Sequence, residues 1–300
     1  MLYTEISLLN KAVITLQASN QMSGVFMDKS VEIICVGNEL LIGKTLNTNA
    51  QWLTRRVTTL GLATRRVTVV GDDINEISST IKEAIQRSPA FILTTGGLGP
   101  TFDDKTLEGL AEALGRSTKV NEEALKMVKE KYLSYAREGR MEAAELTPHR
   151  VKMAKLPQGA TPLNNPVGTA PAVSIENENV TIIALPGVPS EMKSIFDESV
   201  ASALKKSAGN VTFFEASIET TKVIESEMAP LIEKVMHNNP HVYIKSHPKG
   251  AERVPRIEFH LSTTAKDSST ARKEVSKALF QLSEMIKEKG GKIKPIKSEA

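Results

Sequence analysis

Acidic side chains next to glycine turns carry what chemistry this sequence offers. In residues 91–106, FILTTGGLGPTFDDKT, an apolar start typical of a buried strand runs into Thr94 and Thr95, then Gly96, Gly97 and Gly99, then Asp103 and Asp104. Glycine lets the backbone take positive φ and lets a ligand approach with no Cβ in the way. A strand, a glycine turn and a helix start, in that order, offer an anion backbone N–H groups and the positive end of a helix dipole. Two aspartates at the same helix start would repel a phosphate unless a divalent metal stood between them. Magnesium is held in that way, by one or two carboxylates plus substrate phosphates. Helix capping accounts for one aspartate, but not for the two threonines and three glycines before it. The stretch points to a nucleotide or phosphate site.

Other turns carry related groups. Residues 37–45 end Gly-Lys-Thr after a strand, but five residues rather than four separate Gly37 from Gly43, so this is not a P-loop. Glu39 remains a candidate metal or ligand carboxylate there, and Asn47 and Asn49 can donate to a ligand or cap a helix. Asp72 and Asp73 lie between a strand and a helix; Asp73 reads as an N-cap. Asp72 would sit beside Asp104 if their strands are neighbours, giving a carboxylate pair suited to a divalent cation. The turn 164–171, NNPVGTAP, offers Gly168 and Thr169, and Pro186-Gly187-Val188-Pro189 leads into a helix with Ser190 as its expected N-cap. The five histidines show no metal-ligand spacing. No serine sits in a Gly-x-Ser-x-Gly elbow. The basic turn 245–249 reads as solvated charge.

The elements that must position these residues follow from periodicity. Strands are expected over 31–36, 63–70 and 91–93, with helices over 47–60, 74–86 and 105–114, which implies a parallel sheet with right-handed crossovers. Ligands on such a sheet lie beyond the carboxyl ends of the strands, where residues 37–45, 71–73 and 96–104 all fall. A charged helix over 121–138 reads as an arm or partner-facing element, and a loop-rich section begins at Leu156. A hairpin is expected from 172–175 and 180–185. Composition shifts at 208–210. Beyond it, strands at 211–218, 241–246 and 256–263 and helices at 225–236 and 268–289 make a sheet-plus-helix module of ~80 residues. Residues 1–29 read as a loosely packed extension without a signal-peptide pattern, and 291–300 as a frayed, lysine-rich tail.

Bulk properties bound the partners. Forty per cent apolar and 24% charged residues describe a soluble globular protein, and a net charge of +3 gives no argument for nucleic acid. The lone cysteine, Cys35, lies in an apolar run and excludes an internal disulfide, which suits the cytoplasm. No apolar run approaches the roughly 20 residues that span a bilayer.

TTGGLGPTFDDKT resembles the signature of the molybdopterin-binding domain of MogA, MoaB and MoeA. Together GNELLIGKTLNTNAQWL, VGDDINEI, GGLGPTFDDKT, NPVGTAPA and LPGVPSEM are similar to the CinA-type (competence/damage-inducible) branch, with Leu98 where the cofactor-synthesis pattern has threonine. The resemblance implies a three-layer α/β/α domain with a mostly parallel sheet over 30–208 and a small KH-like α/β module over 209–290. It implies a nucleotide as small-molecule partner, and metal-dependent hydrolysis of ADP-ribose to AMP and ribose 5-phosphate. Binding or adenylylation of molybdopterin is the alternative. Asp104 and Asp72 would be catalytic and, with Glu39, would hold Mg²⁺ or another divalent ion such as Co²⁺, with K⁺ as a further candidate. Thr95, Gly96, Gly97, Gly99, Asn47, Asn49, Gly168, Thr169 and Gly187 would line the substrate. A homo-oligomer is expected. Family members also carry a C-terminal deamidase domain for nicotinamide mononucleotide; no length is left for one here, so that activity is not expected.

Overall fold

The computed structural model describes residues 29–142, 144–249 and 256–296. They fall into two compact units, one of residues 29–58 and 62–207, the other of residues 59–61 and the described part of 208–300. The expected extension at 1–29 lies almost wholly outside the described residues.

The larger unit is built on a 6-stranded sheet. Its strands are β1 (Ser30–Val36), β2 (Ala63–Val70), β3 (Phe91–Thr95), β6 (Thr161–Leu163), β7 (Ala172–Asn177) and β8 (Val180–Leu185), in the order β2-β1-β3-β8-β7-β6. The four strands β2, β1, β3 and β8 run parallel, and β7 and β6 follow antiparallel. The expected hairpin forms between β7 and β8, closed by Glu178 at φ 54° and Asn179.

β1 is buried from Val31 onward and β3 throughout, as strands covered on both faces must be. Ile34 and Val36 join the cluster that holds Ile77 and Ile81 of α3 (Ile74–Gln86), Leu110 of α4 (Thr106–Ala113) and Val128 of α5 (Glu122–Arg137). Alternation sends Ile33 and Cys35, equally buried, to the other face. There α2 (Thr48–Thr59) buries Leu53 and Val57, and its Trp52 meets Phe196 edge-on at 5.3 Å. Phe196 belongs to the helical run α7 (Pro189–Ile195), a wider turn at Phe196–Val200, and α8 (Ala201–Ala208). This is an α/β fold with a mostly parallel central sheet, as the strand–helix alternation implies.

Short elements escaped the sequence. Residues 38–41 form a single helical turn, α1 (Asn38–Leu41), where only a turn was expected. Pro148 opens a further short helix, α6 (Pro148–Lys152), at its first position, with Thr147 as cap. The loop-rich section holds β5 (Lys155–Pro157), paired with β4 (Thr118–Val120), as well as β6. Three residues are too few to show a period.

The smaller unit is a 4-stranded antiparallel sheet in the order β10-β11-β9-β12: β9 (Thr212–Thr221), β10 (Tyr243–Lys249), β11 (Arg256–Ala265) and β12 (Lys292–Ile296). Phe259 and Leu261 pack with Met228 of α9 (Glu225–Asn238) and Val275 and Leu282 of α10 (Ser268–Glu288). The tail expected to fray is corrected here. Lys292–Ile296 pairs with β9, Ile293 packs on the core, and alternating lysines with Pro295 suit an edge strand.

Where β3 ends, the backbone needs glycine for two separate reasons. Gly96 has φ +108°, and a Cβ there would stand 2.1 Å from the Val36 carbonyl oxygen of the neighbouring strand. Gly115 also has positive φ, +61°, but open space around it. Gly115→Ala is expected to cost about 1 kcal/mol from conformation alone. Gly96→Ala is expected to cost on the order of 4 kcal/mol, because two strand ends must also part. Urea denaturation of the two variants measures the difference.

Candidate functional site

The parallel strands end at one edge, and their following loops enclose a cleft of about 350 Å³. Glu39 and Gly37 come from the loop after β1, Asp72 from the loop after β2, and Gly96, Gly97, Gly99, Asp103 and Asp104 from the loop after β3. Gly187 and Glu191 follow β8, and Thr169 follows β6. The structure thus brings Asp72 and Asp104 to a single cleft, together with Glu39.

Backbone donors fix the carboxylates. Asn38 N–H donates to Asp72 Oδ2 at 2.8 Å, and the Asp72 N–H returns a bond to Asn38 Oδ1 at 3.3 Å. Asp104 Oδ2 accepts from Thr101 N–H at 2.8 Å, and the Thr101 hydroxyl lies between the Asp103 and Asp104 carboxylates. Asp104 therefore closes its own loop and does not cap α4, whose N-cap is Lys105 with no side-chain bond. Asp73 is the N-cap of α3, accepting from Asn75 and Glu76 N–H. Burial raises the Asp72 carboxyl above its ordinary value; the Asn38 bond opposes this, and the charges of Glu39, Asp103 and Asp104 add to it. Asp103 shifts the other way, held down first by the Thr101 hydroxyl.

The expected ligand contacts divide. Gly97 and Gly99 are required by the loop itself, since added Cβ atoms would lie 2.4 Å from Thr106 Oγ1 and 2.7 Å from Asp104 Oδ2. Gly168 makes room for the Glu191 carboxylate, 2.0 Å from where its Cβ would be. Asn47 caps α2 through Ala50 N–H at 3.0 Å. Asn49 does otherwise: its Nδ2 donates to Thr95 Oγ1 at 3.0 Å and to the Gly187 carbonyl at 2.8 Å, while the Thr95 hydroxyl donates to Pro186 O. This stitch joins the ends of β3 and β8. Leu98, read only as a departure from a pattern, is 3% exposed and part of the core.

Sequence reasoning passed over several groups here. Ser190 does not cap α7; Pro189 opens it after Val188, and Glu191 in its first turn accepts from Asn165 Nδ2 at 2.7 Å. An acidic residue at the start of a helix after a strand and a glycine turn was the available signal for Glu191. Lys152 is a second omission: its ammonium donates to the Thr101 carbonyl at 2.8 Å and to the Asp104 carbonyl. Nothing in a lone lysine of a five-residue helix announces that reach.

A smaller slot of about 100 Å³ adjoins the cleft, lined by Val36, Leu40, Leu46, Pro189 and Asn49, and it shares Glu39, Gly96 and Gly187 with it. Exposed apolar side chains gather on the same loops: Ile42, Leu46, Phe102, Val167 and Val188. Among the described residues no three His, Cys, Asp or Glu side chains stand where they could hold a metal by themselves. The donors present are hard oxygens from separate loops. They fit a cation bound by one or two carboxylates and completed by ligand oxygens, as magnesium is, rather than an all-protein cage.

The family described as a probable molybdopterin binding domain matches residues 32–206. The chain belongs to the molybdopterin-binding domain family. A protein of Pyrobaculum aerophilum is 47% identical over 262 residues, 86% of this chain and 95% of that one. A protein of Saccharolobus solfataricus is 39% identical over 272 residues, 90% and 97% of the two chains. The crystal structure of the protein CinA from Thermoplasma acidophilum is 40% identical and superposes with a TM-score of 0.53, covering 60% of this chain and 98% of that one. The molybdopterin-binding domain here is of the CinA type, and its cleft lies within the matched residues. Among the described residues no helix is long and apolar enough to cross a membrane.

Asp72 gives the cleft a pH signature. A carboxyl raised in the folded protein disfavours folding once it ionises, so its unfavourable contribution is absent below the ordinary carboxylate range and grows as pH rises through the raised value. Asp72→Asn is therefore expected to raise the melting temperature at pH 7 and to leave it unchanged near pH 3. Thermal unfolding across that range checks it; a gain of the same size at both pH values would show that charge is not the cause.

Proposed function

We propose that the acidic cleft binds a phosphorylated heterocycle of the molybdopterin class, with a divalent cation between its phosphate and the carboxylates of Asp72 and Asp104. The observation that carries this is the crowding of Glu39, Asp72, Asp103 and Asp104. Like charges so placed call for a cation, and a cation so placed attracts a phosphate. The adjoining slot supports the other half of the ligand, since Leu40, Leu46 and Pro189 offer apolar walls to a flat ring. Membership of the molybdopterin-binding domain family favours a pterin as that ring.

In this reading Asp72 and Asp104 hold the cation, with Glu39 beside them. Asn49 and Thr95 keep the strand ends at a fixed separation beneath the ligand. A bound divalent ion would polarise a phosphoryl oxygen. Adenylylation of the pterin phosphate and cleavage of ADP-ribose both need such a site, and the slot suits adenine as well as pterin.

Equilibrium dialysis with molybdopterin, AMP and ADP-ribose, each with and without Mg²⁺, separates these readings. Molybdopterin is expected to bind in a Mg²⁺-dependent manner, and Asp104→Asn to weaken it at least about tenfold, the scale of a lost charged contact. Release of AMP and ribose 5-phosphate from ADP-ribose, with no retention of molybdopterin, would turn the assignment to a pyrophosphatase. Retention of none of the three would remove the ligand class.

A further inference from the structure

Two walls of the cleft are loops whose main-chain carbonyls are held from behind by one segment of the chain. The wall that follows β6 carries Thr169 and Ala170. Lys131 of α5 donates to its Pro166 carbonyl at 2.6 Å, and the Tyr135 hydroxyl donates to its Val167 carbonyl at 3.0 Å. The wall that follows β3 carries Asp103 and Asp104, and Lys152 of α6 donates to its Thr101 and Asp104 carbonyls. The two helices meet through their side chains: the Arg150 guanidinium of α6 lies 3.9 Å from the centroid of the Tyr132 ring of α5, and Tyr132 meets Tyr135 edge-on at 6.3 Å. Side-chain contacts therefore link one wall, through Lys131 and Tyr135 and across the Tyr132–Arg150 joint, to α6, which carries Lys152 to the other wall.

We propose that α5 and α6 form a brace that sets the width of the cleft, with Lys131 and Lys152 as positioning residues for the ligand and the Tyr132–Arg150 stack as the joint that couples the two walls. Neither lysine needs to touch the ligand. Each donates to main-chain carbonyls and so favours one conformation of a loop whose own residues form the wall. A lysine ammonium carries three donors on a flexible stem, which lets Lys152 gather two carbonyls of one turn. Removing the ammonium while keeping the stem should free the loop without opening the core, because both lysines are partly exposed. The effect on a ligand rests on the proposed phosphate-binding reading, but the effect on the loops does not.

The experiment has a ligand-free arm and a ligand arm, using the full chain with Lys131→Met, Lys152→Met, the double variant and Arg150→Gln. In the first, hydrogen–deuterium exchange is followed without ligand. Lys152→Met is expected to speed exchange at residues 99–104 and Lys131→Met at 164–171, while Arg150→Gln speeds both. Unchanged exchange at these loops would overturn the brace whatever the cleft binds. Faster exchange in Lys152→Gln equal to that in Lys152→Met would overturn it too, since glutamine keeps donors for the carbonyls. In the second arm, molybdopterin with Mg²⁺ is the probe. Each single variant is expected to weaken it about tenfold, with melting temperature shifted little, and the double variant to fall short of the product of the two. Independent losses that multiply would overturn the coupling of the walls. No molybdopterin binding by the unaltered chain would sink the ligand reading alone and leave the exchange result standing.

Discussion

Repulsion among carboxylates is the constraint on which the site depends. Glu39, Asp72, Asp103 and Asp104 come from three loops; burial does most to push the Asp72 carboxyl upward, and each of the other three adds to it. Unit charges about 4 Å apart in water repel by about 1 kcal/mol, and by more where water is partly excluded. The loops would relieve this by spreading. They do not, because each is fixed to the sheet before it turns: Gly37 N–H donates to Val70 O and Gly96 N–H to Leu185 O, both at 3.0 Å. The bonds that hold the repelling groups together lie in the backbone, at the ends of the parallel strands.

Glycine in this site is therefore chiefly a packing device for the acids. Gly37 leaves room for Glu39, Gly99 for Asp104 and Gly168 for Glu191, each with a carboxylate oxygen within 2.7 Å of a would-be Cβ. A carboxylate pressed against bare backbone loses side-chain freedom and keeps its direction. Entropy that a surface glutamate would forfeit on meeting a cation has already been given up in folding. That is the physical content of a prepared site: its disorder and its repulsion are both absorbed by the fold.

How far the sequence revealed this depended on the length of the signal. The strands over 31–36 and 91–93 and the helix at Ile74–Gln86 were plain because apolar runs and a 3.6-residue stripe span many positions. Placing Asp72, Asp104 and Glu39 at one edge followed from parallel-sheet topology. The roles of single polar residues were less legible. Asn47 and Asn49 look alike two positions apart, yet one caps a helix and the other ties β3 to the loop after β8. Thr101 and Lys152 gave no sign, because their partners are carbonyls and carboxylates that only the folded loops bring near. β12 was lost for a different reason: an edge strand of alternating lysine and isoleucine resembles a charged terminus until its partner β9 is known.

The site is read from two sides, and they carry different kinds of information. Side chains inside the cleft state its charge, and so the chemical class of what it accepts. Carbonyls at its back state its shape, and these are gripped by residues far off in sequence, Lys131 and Lys152. A substitution at Asp104 would alter what is attracted; one at Lys152 would alter whether the attracting groups face each other at all. On the proposed reading, homologues that keep the acids but not the lysines would share an affinity for metal-bound phosphate while differing in the width of ligand they admit. Divergence of specificity in such a fold then requires no change in the cleft itself, only in the segment that spans its walls from behind.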